Sequence, residues 1–335
     1  FFDEIDAKGR DAVGFFSNYT LRDMRDHFLY EIMMYMSTQK LRTPKGLGWL
    51  AGQAGTQEQN KILRLMLSLR SLHCAIWTEC VWLIADASQS ATKFIVSDHP
   101  VTVYNRRSGP HSQWCRGNDD PDIRLHGTHT IFPLSLDKVL ILTNLSWVRN
   151  PYQSPVELRP NPNPFRDAMF KMTSIQTMRN LSEQEVQEIN FIIKTRALKY
   201  IAAGKEEWLY PERQVPKSRW AEFGDGYLLM PDPRGVEFSR EIIIGHRDGT
   251  ASAIDEYGRR PWQPGFKDDN VSQNEFVTFH RFQGDFAKLY GPYRRGRAFN
   301  FMQLDPEKDS DKTHQYHLSL ARKTWKERHR GGSGK

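Results

Sequence analysis

Ser97-Asp98-His99-Pro100 places a hydroxyl, a carboxylate and an imidazole in one corner, between the β-branched and aromatic runs 94–96 and 101–104. A carboxylate in such a corner can serve as a general base or hold a cation, and an imidazole titrates near neutral pH. Consecutive strand residues point to opposite faces, so the three are not a nucleophilic triad by adjacency. Upstream, Leu21, Met24, Phe28, Ile32 and Tyr35 recur at three- and four-residue steps, which predicts a helix from about Thr20. On that wheel Gln39 falls in the centre of the apolar stripe, with Arg42 and Thr43 at its edges, before Pro44 ends the helix. Asn190 interrupts the apolar stripe of a second helix in the same way.

Polar groups on core-facing stripes need partners, because burial without one costs on the order of 2 kcal/mol or more. A single shared pocket would satisfy all of them. In it Asp98 is the expected base or ion-pair partner and Arg42 the bidentate clamp for Asp98 or for an anionic substrate. His99 and Asn190 would assist, with Gln39, Thr43 and Ser97 as substrate contacts. The competing reading makes Arg42 and Asp98 a buried lock between two elements, with Ser97 and Asp98 forming turn bonds ahead of Pro100.

Other chemistry is sparse. His126 and His129 are three apart beside Gly127, and no third ligand stands at recognisable spacing, so no metal site is expected. No cofactor fingerprint, phosphate-cradling Gly-Lys-Ser/Thr loop or Gly-x-Ser-x-Gly elbow is present. Arg294, Arg295 and Arg297 interleave with Tyr290, Tyr293, Phe299 and Phe301, a composition suited to phosphate contact with base stacking and equally to a solvated strand edge.

The elements that must position these groups follow from pattern. Residues 1–16 lack clear periodicity, and the Gly-rich stretch 45–55 is expected to turn the chain. A helix is predicted over 57–72 and a strand near 81–84, with 87–92 as a hairpin loop leading back into 94–96. A long polar loop spans 105–127, strands 128–132 and 139–143 follow, and five prolines mark 151–164 as an extended connector. Ser182 and Glu185 form a capping box at the start of a helix predicted to run to about 203, with Gly204 just past its end.

The bulk composition is that of a folded protein: 39% hydrophobic and 12% aromatic over 335 residues. No apolar run is long enough to span a membrane. Three cysteines, Cys74, Cys80 and Cys115, are too few for a disulfide framework and favour a reducing, intracellular and cytoplasmic setting. The net charge is +7, but from Glu206 onward there are 22 basic and 20 acidic residues, so neither half is a strongly basic domain. With a start at Phe1 and no signal-peptide pattern, the beginning is expected to be a boundary rather than a natural start, and 331–335 to be flexible linker.

Taken in order, Gln39-x-x-Arg42-Thr43-Pro44, Phe94-Ile-x-Ser97-Asp98-x-Pro100-Val101, Pro133-Leu-Ser, and Asn190 followed by Arg196-Ala197 and Tyr200 resemble the domain of unknown function 4238 family over about residues 20–209. The resemblance implies an intracellular α+β protein with no agreed activity. The family more often has Asn at the position of His99, and its upstream His- and Pro-containing motif is not found here.

The expectation is an α+β protein whose antiparallel meander over about 80–143 packs against two or three helices. Residues 1–209 would be the family-like domain, 210–308 a β-rich extension and 309–335 a charged tail and linker. Two functions are expected. One is a hydrolase for nucleic acid or another anionic substrate. The other is a non-catalytic binding protein, or a subunit of a larger complex, partnered by nucleic acid or protein.

Overall fold

The computed structural model describes residues 2–20, 26–78, 80–110, 112, 120–123, 128–144, 175–223, 241–245, 251–255, 261–262 and 264. Expectations for Arg294, Arg295, Arg297, His126, Cys115, the proline-rich connector and the charged tail lie outside these residues.

Four helices open the chain: α1 (Phe2–Ser17), α2 (Asp26–Arg42), α3 (Pro44–Ala54) and α4 (Gln59–Thr78). Two of them differ from expectation. Residues 1–16 gave no stripe because α1 buries only Gly9, Ala12 and Phe16. Gly9 admits α2 so closely that a Cβ there would lie 2.2 Å from the Tyr35 ring. The Gly-rich stretch expected to turn the chain is instead helix α3. Thr43 caps it by accepting from Gly46 N–H, Pro44 takes the first position where no N–H is needed, and Gly55 closes it at φ 59°.

The sheet that follows is mixed. Strands β1 (Cys80–Asp86), β2 (Val96–Ser97), β3 (Thr102–Asn105), β4 (Thr128–Pro133), β5 (Lys138–Asn144) and β6 (Gln176–Asn180) lead to helix α5 (Glu183–Arg196) and strand β7 (Ile201–Ala202). The main sheet has the order β3-β4-β5-β1-β6. β3, β4, β5 and β1 are antiparallel, as the meander predicted, while β6 lies parallel to β1. The expected hairpin from β1 into 94–96 does not form. β1 is flanked by β5 and β6, and Val96–Ser97 pairs with Ile201–Ala202.

Both faces of the sheet are covered, and the period-2 alternation shows how. Trp82, Ile84, Leu140 and Leu142 face α1, α2 and α4. Leu83, Ala85, Val139 and Ile141 face α5 and the 3₁₀ turns of 206–222, which bring Trp208, Trp220 and Phe223. The protein is therefore α+β, with helices on two sides of one sheet. Beyond 223 the described residues include the antiparallel pair β8 (Glu241–Gly245) and β9 (Ala251–Asp255). Among the described residues no helix is long and apolar enough to cross a membrane.

α5 ends at Arg196, earlier than the expected 203. Asp98 is the cause. Its carboxylate accepts from the backbone N–H groups of Leu198, Lys199 and Tyr200 at 2.8 to 3.0 Å, which unwinds the chain into β7.

Candidate functional site

The predicted α2 stripe faces the core, with Ile32 fully buried and Phe28 and Tyr35 packed against the same cluster, and the buried face extends one position on through Leu29, Met33, Met36 and Lys40. Lys40 is thus the polar residue that ends the core-facing stripe. It is joined by Lys45 in the first turn of α3, by His99 at the corner after β2 and by Asp120 in the long loop.

Asp120 is the hub. Its Oδ2 accepts from Lys40 Nζ at 2.5 Å and faces His99 Nε2 at 2.7 Å, and its Oδ1 accepts from Lys45 Nζ at 2.6 Å. Thr43 Oγ1 lies 3.1 Å from His99 Nδ1. One assignment of protons fits this network: Nε2–H donates to Asp120 and the Thr43 hydroxyl donates to Nδ1. Lys40 Nζ also donates to Val101 O at 3.4 Å, and Lys45 Nζ to Arg196 O at 2.8 Å. Each ammonium has three donors: Lys40 Nζ also lies 3.3 Å from His99 Nε2, while Lys45, among the described residues, keeps one N–H without a protein acceptor.

Burial shapes the charges. Side-chain exposure is 11% for Lys40, 7% for Lys45, 9% for Asp120 and 2% for His99. Burial, followed by the neighbouring Lys45 and Arg196 cations, lowers Lys40 against the opposing pull of Asp120. Burial and the Lys40 ammonium likewise lower His99, which favours the neutral imidazole. Burial alone would raise Asp120, but Lys40, His99 and Lys45 hold its carboxyl well below the ordinary range.

Arg196 is a third buried cation at this end of the protein. It donates to Val103 O and Ser108 O and stacks over Trp220 at 5.0 Å, with no carboxylate partner among the described residues. Among the described residues, Lys40 and Lys45 thus share the one buried carboxylate of Asp120, with Arg196 near enough to Lys40 to oppose its charge. The carbonyl end of α5, which receives Lys45, offsets only about half a charge more.

The cluster forms one end of a cavity of about 370 Å³ between α2, α3, α4 and residues 120–123. A concave, largely apolar site with a few convergent polar groups is the usual form of a small-molecule pocket.

The residues expected to share one pocket divide into separate groups. Thr43 and His99 belong to the cluster. Arg42 is not paired with Asp98: its Nη1 donates to Asp6 at 2.8 Å and its Nε to Gln39 at 3.3 Å, while Gln39 reaches Asp6 at 3.4 Å. These three tie α2 to α1. Asp98 holds the turn after α5, and Ser97 closes a local turn by donating to His99 O and accepting from His99 N–H. Asn190 accepts from Ile95 N–H and donates to Lys93 O, which brackets α5 to the chain ahead of β2. His129, the described member of the histidine pair, bonds Thr143.

Sequence reasoning missed Lys40, Lys45 and Asp120. Lys40 was within reach once the α2 stripe was phased on Leu29, Met33 and Met36. Lys45 was hidden by reading a helix as a turn. Nothing in Asn118-Asp119-Asp120-Pro121 singles out the third residue.

No curated protein and no solved structure matches the chain. The sequence profile of the family described as protein of unknown function, DUF4238, matches residues 16–207, more than half of the chain, and the chain belongs to that family.

Proposed function

We propose that this protein binds a small anionic ligand in the cavity beside Asp120, with Lys40 and Lys45 gripping the charged group. The observation that carries this reading is the excess of buried positive charge at the polar end of the cavity. Buried charges are normally paired, and two lysines sharing one carboxylate leave a place for a second anion.

A non-catalytic binding role, alone or within a larger complex, fits best. Both Asp98 oxygens accept backbone hydrogen bonds, and Arg42 is committed to Asp6 and Gln39, so neither stands free to act on a substrate. A hydrolase acting on the bound anion is the second reading. It is favoured by Lys40, whose lowered pKa brings a neutral amine within easier reach. The free thiols of Cys74 and Cys80 support an intracellular, cytoplasmic setting.

The test is thermal unfolding of the full chain at fixed ionic strength with carboxylates, phosphate monoesters and sulfonates. At least one class is expected to raise Tm in a concentration-dependent way, and the gain should disappear in Lys45→Gln and return in Lys45→Arg. Equal shifts in wild type and Lys45→Gln would mean general surface effects and overturn the reading. Mass spectrometry of the stabilising compound after incubation decides between binding and hydrolysis.

A further inference from the structure

The cavity's other walls narrow the ligand class. Away from the lysines it is lined by Leu41, Trp49, Leu69, Leu72, Ile76 and Ile123. The remaining polar groups are few. Gln53 and Asp122 are exposed, and His73 is tied to Ser37 at 3.1 Å. One end therefore suits a negative charge and the rest suits hydrocarbon. A sugar, a nucleotide or a polyanion would leave hydroxyls or charges against leucine and isoleucine without partners.

Size gives a second constraint. At the ~30 Å³ that one water claims in the liquid, about 370 Å³ accommodates roughly a dozen non-hydrogen atoms. A carboxylate carrying about ten carbons meets this count.

We infer that the ligand is a single-headed anionic amphiphile of about a dozen non-hydrogen atoms, a medium-length alkyl or compact aromatic carboxylate. Its head lies between Lys40 and Lys45 and its hydrocarbon against α3 and α4. This rests on the anion-binding reading of the same cavity and adds the apolar body to it. The head offsets the charge of the two lysines that share Asp120 and takes the N–H that Lys45 keeps, and the tail removes apolar wall from water.

Calorimetric titration of the full chain with acetate, hexanoate, octanoate, decanoate, hexadecanoate and 1-decanol tests it, each kept below its aggregation limit. Affinity is expected to rise about fourfold per added methylene, the ~0.8 kcal/mol of burying one, and to level off near ten carbons. Decanol should bind at least tenfold more weakly than decanoate. Leu69→Trp, which narrows the apolar part of the cavity, should move the optimum to shorter chains; circular dichroism verifies that the variant is folded. If acetate binds in a Lys45-dependent way but longer chains gain nothing, the anion site stands and the amphiphile is overturned. Equal binding of decanol and decanoate overturns the anionic head. If no carboxylate binds in a Lys45-dependent way, both readings fall.

Discussion

Asp98 and Tyr200 hold each other in both directions: the Asp98 N–H donates to Tyr200 O at 3.0 Å, and the Tyr200 N–H donates to Asp98 Oδ2 at 3.0 Å. With Leu198 and Lys199 also bonded to the carboxylate, Asp98 acts on the α5 terminus as a capping residue acts on a helix start. Asp98→Ala should lower stability by about 2 kcal/mol, the scale of hydrogen bonds to a charged acceptor. Asp98→Asn keeps one acceptor oxygen and should lose less. Urea unfolding measures both, and anion binding at the cavity should be unaffected.

Asp120 presents the opposite case, because what it leaves behind is charge. In Asp120→Asn, Lys40 and Lys45 stay buried without their carboxylate. Breaking a buried pair in this way costs about 3–5 kcal/mol. Adding Lys45→Met should recover part of the loss, since the double variant buries one ammonium fewer. The urea midpoint, at constant denaturant slope, reads the difference. A loss below ~1 kcal/mol in the single variant would mean that the cluster is solvated rather than buried.

Arg42 sits on a more exposed pair, with its side chain 28% and that of Asp6 40% exposed. Exposed pairs contribute about 0.2–1 kcal/mol. A double-mutant cycle of Asp6→Asn and Arg42→Gln should give coupling in that range, and Arg42→Gln should leave anion affinity intact. A tenfold loss of affinity would place Arg42 in the site after all.

The mixed outcome for the predicted site has a physical origin. The centres of strands 80–86 and 138–144 were legible because both faces are covered and the runs 81–85 and 139–142 are apolar throughout. The capping box of α5 was legible because it is local in sequence. The polar anomalies at Gln39, Arg42, Asp98 and Asn190 were sensed correctly as groups needing partners. Which partners they take is a matter of register between elements far apart in sequence, and the buried face of α2 is wide enough to take in Lys40 beside the predicted stripe. Asp120 meets Lys40 across 80 positions and Lys45 across 75, contacts that no local pattern encodes.

Acid should act on this cluster in two windows. In the unfolded chain His99 takes up a proton below about pH 6.5, whereas in the folded protein burial and Lys40 hold it neutral to lower pH. The unfolded state therefore binds more protons in that interval, and stability falls as pH drops through it. Asp120 is depressed well below its ordinary value, so its contribution is complete above about pH 3.9 and is lost only at lower pH, as its folded-state pKa is crossed. Unfolding free energies measured from pH 8 to pH 3 should show both losses. His99→Gln should flatten the upper one and reduce but not abolish the lower, because Lys40 and Lys45 still face Asp120.

The geometry that brings the two lysines onto one carboxylate depends on a close approach between the end of α2 and the start of α3. A Cβ on Gly46 would lie 2.3 Å from Lys40 O and 2.7 Å from Leu41 O, both backbone atoms that cannot rotate away. Gly46→Ala must therefore move one helix against the other, at the ~1–3 kcal/mol of overpacking or more. The displacement falls between Lys40 and Lys45 themselves, so affinity for a stabilising carboxylate should drop at least tenfold even where the variant remains folded. Gly48, with open space around its Cβ position, provides the control. Gly48→Ala sits inside α3 and should raise stability by roughly 0.5–1 kcal/mol through helix propensity alone, with ligand affinity unchanged. Comparable losses in both variants would show that α3 needs backbone freedom rather than close contact with α2.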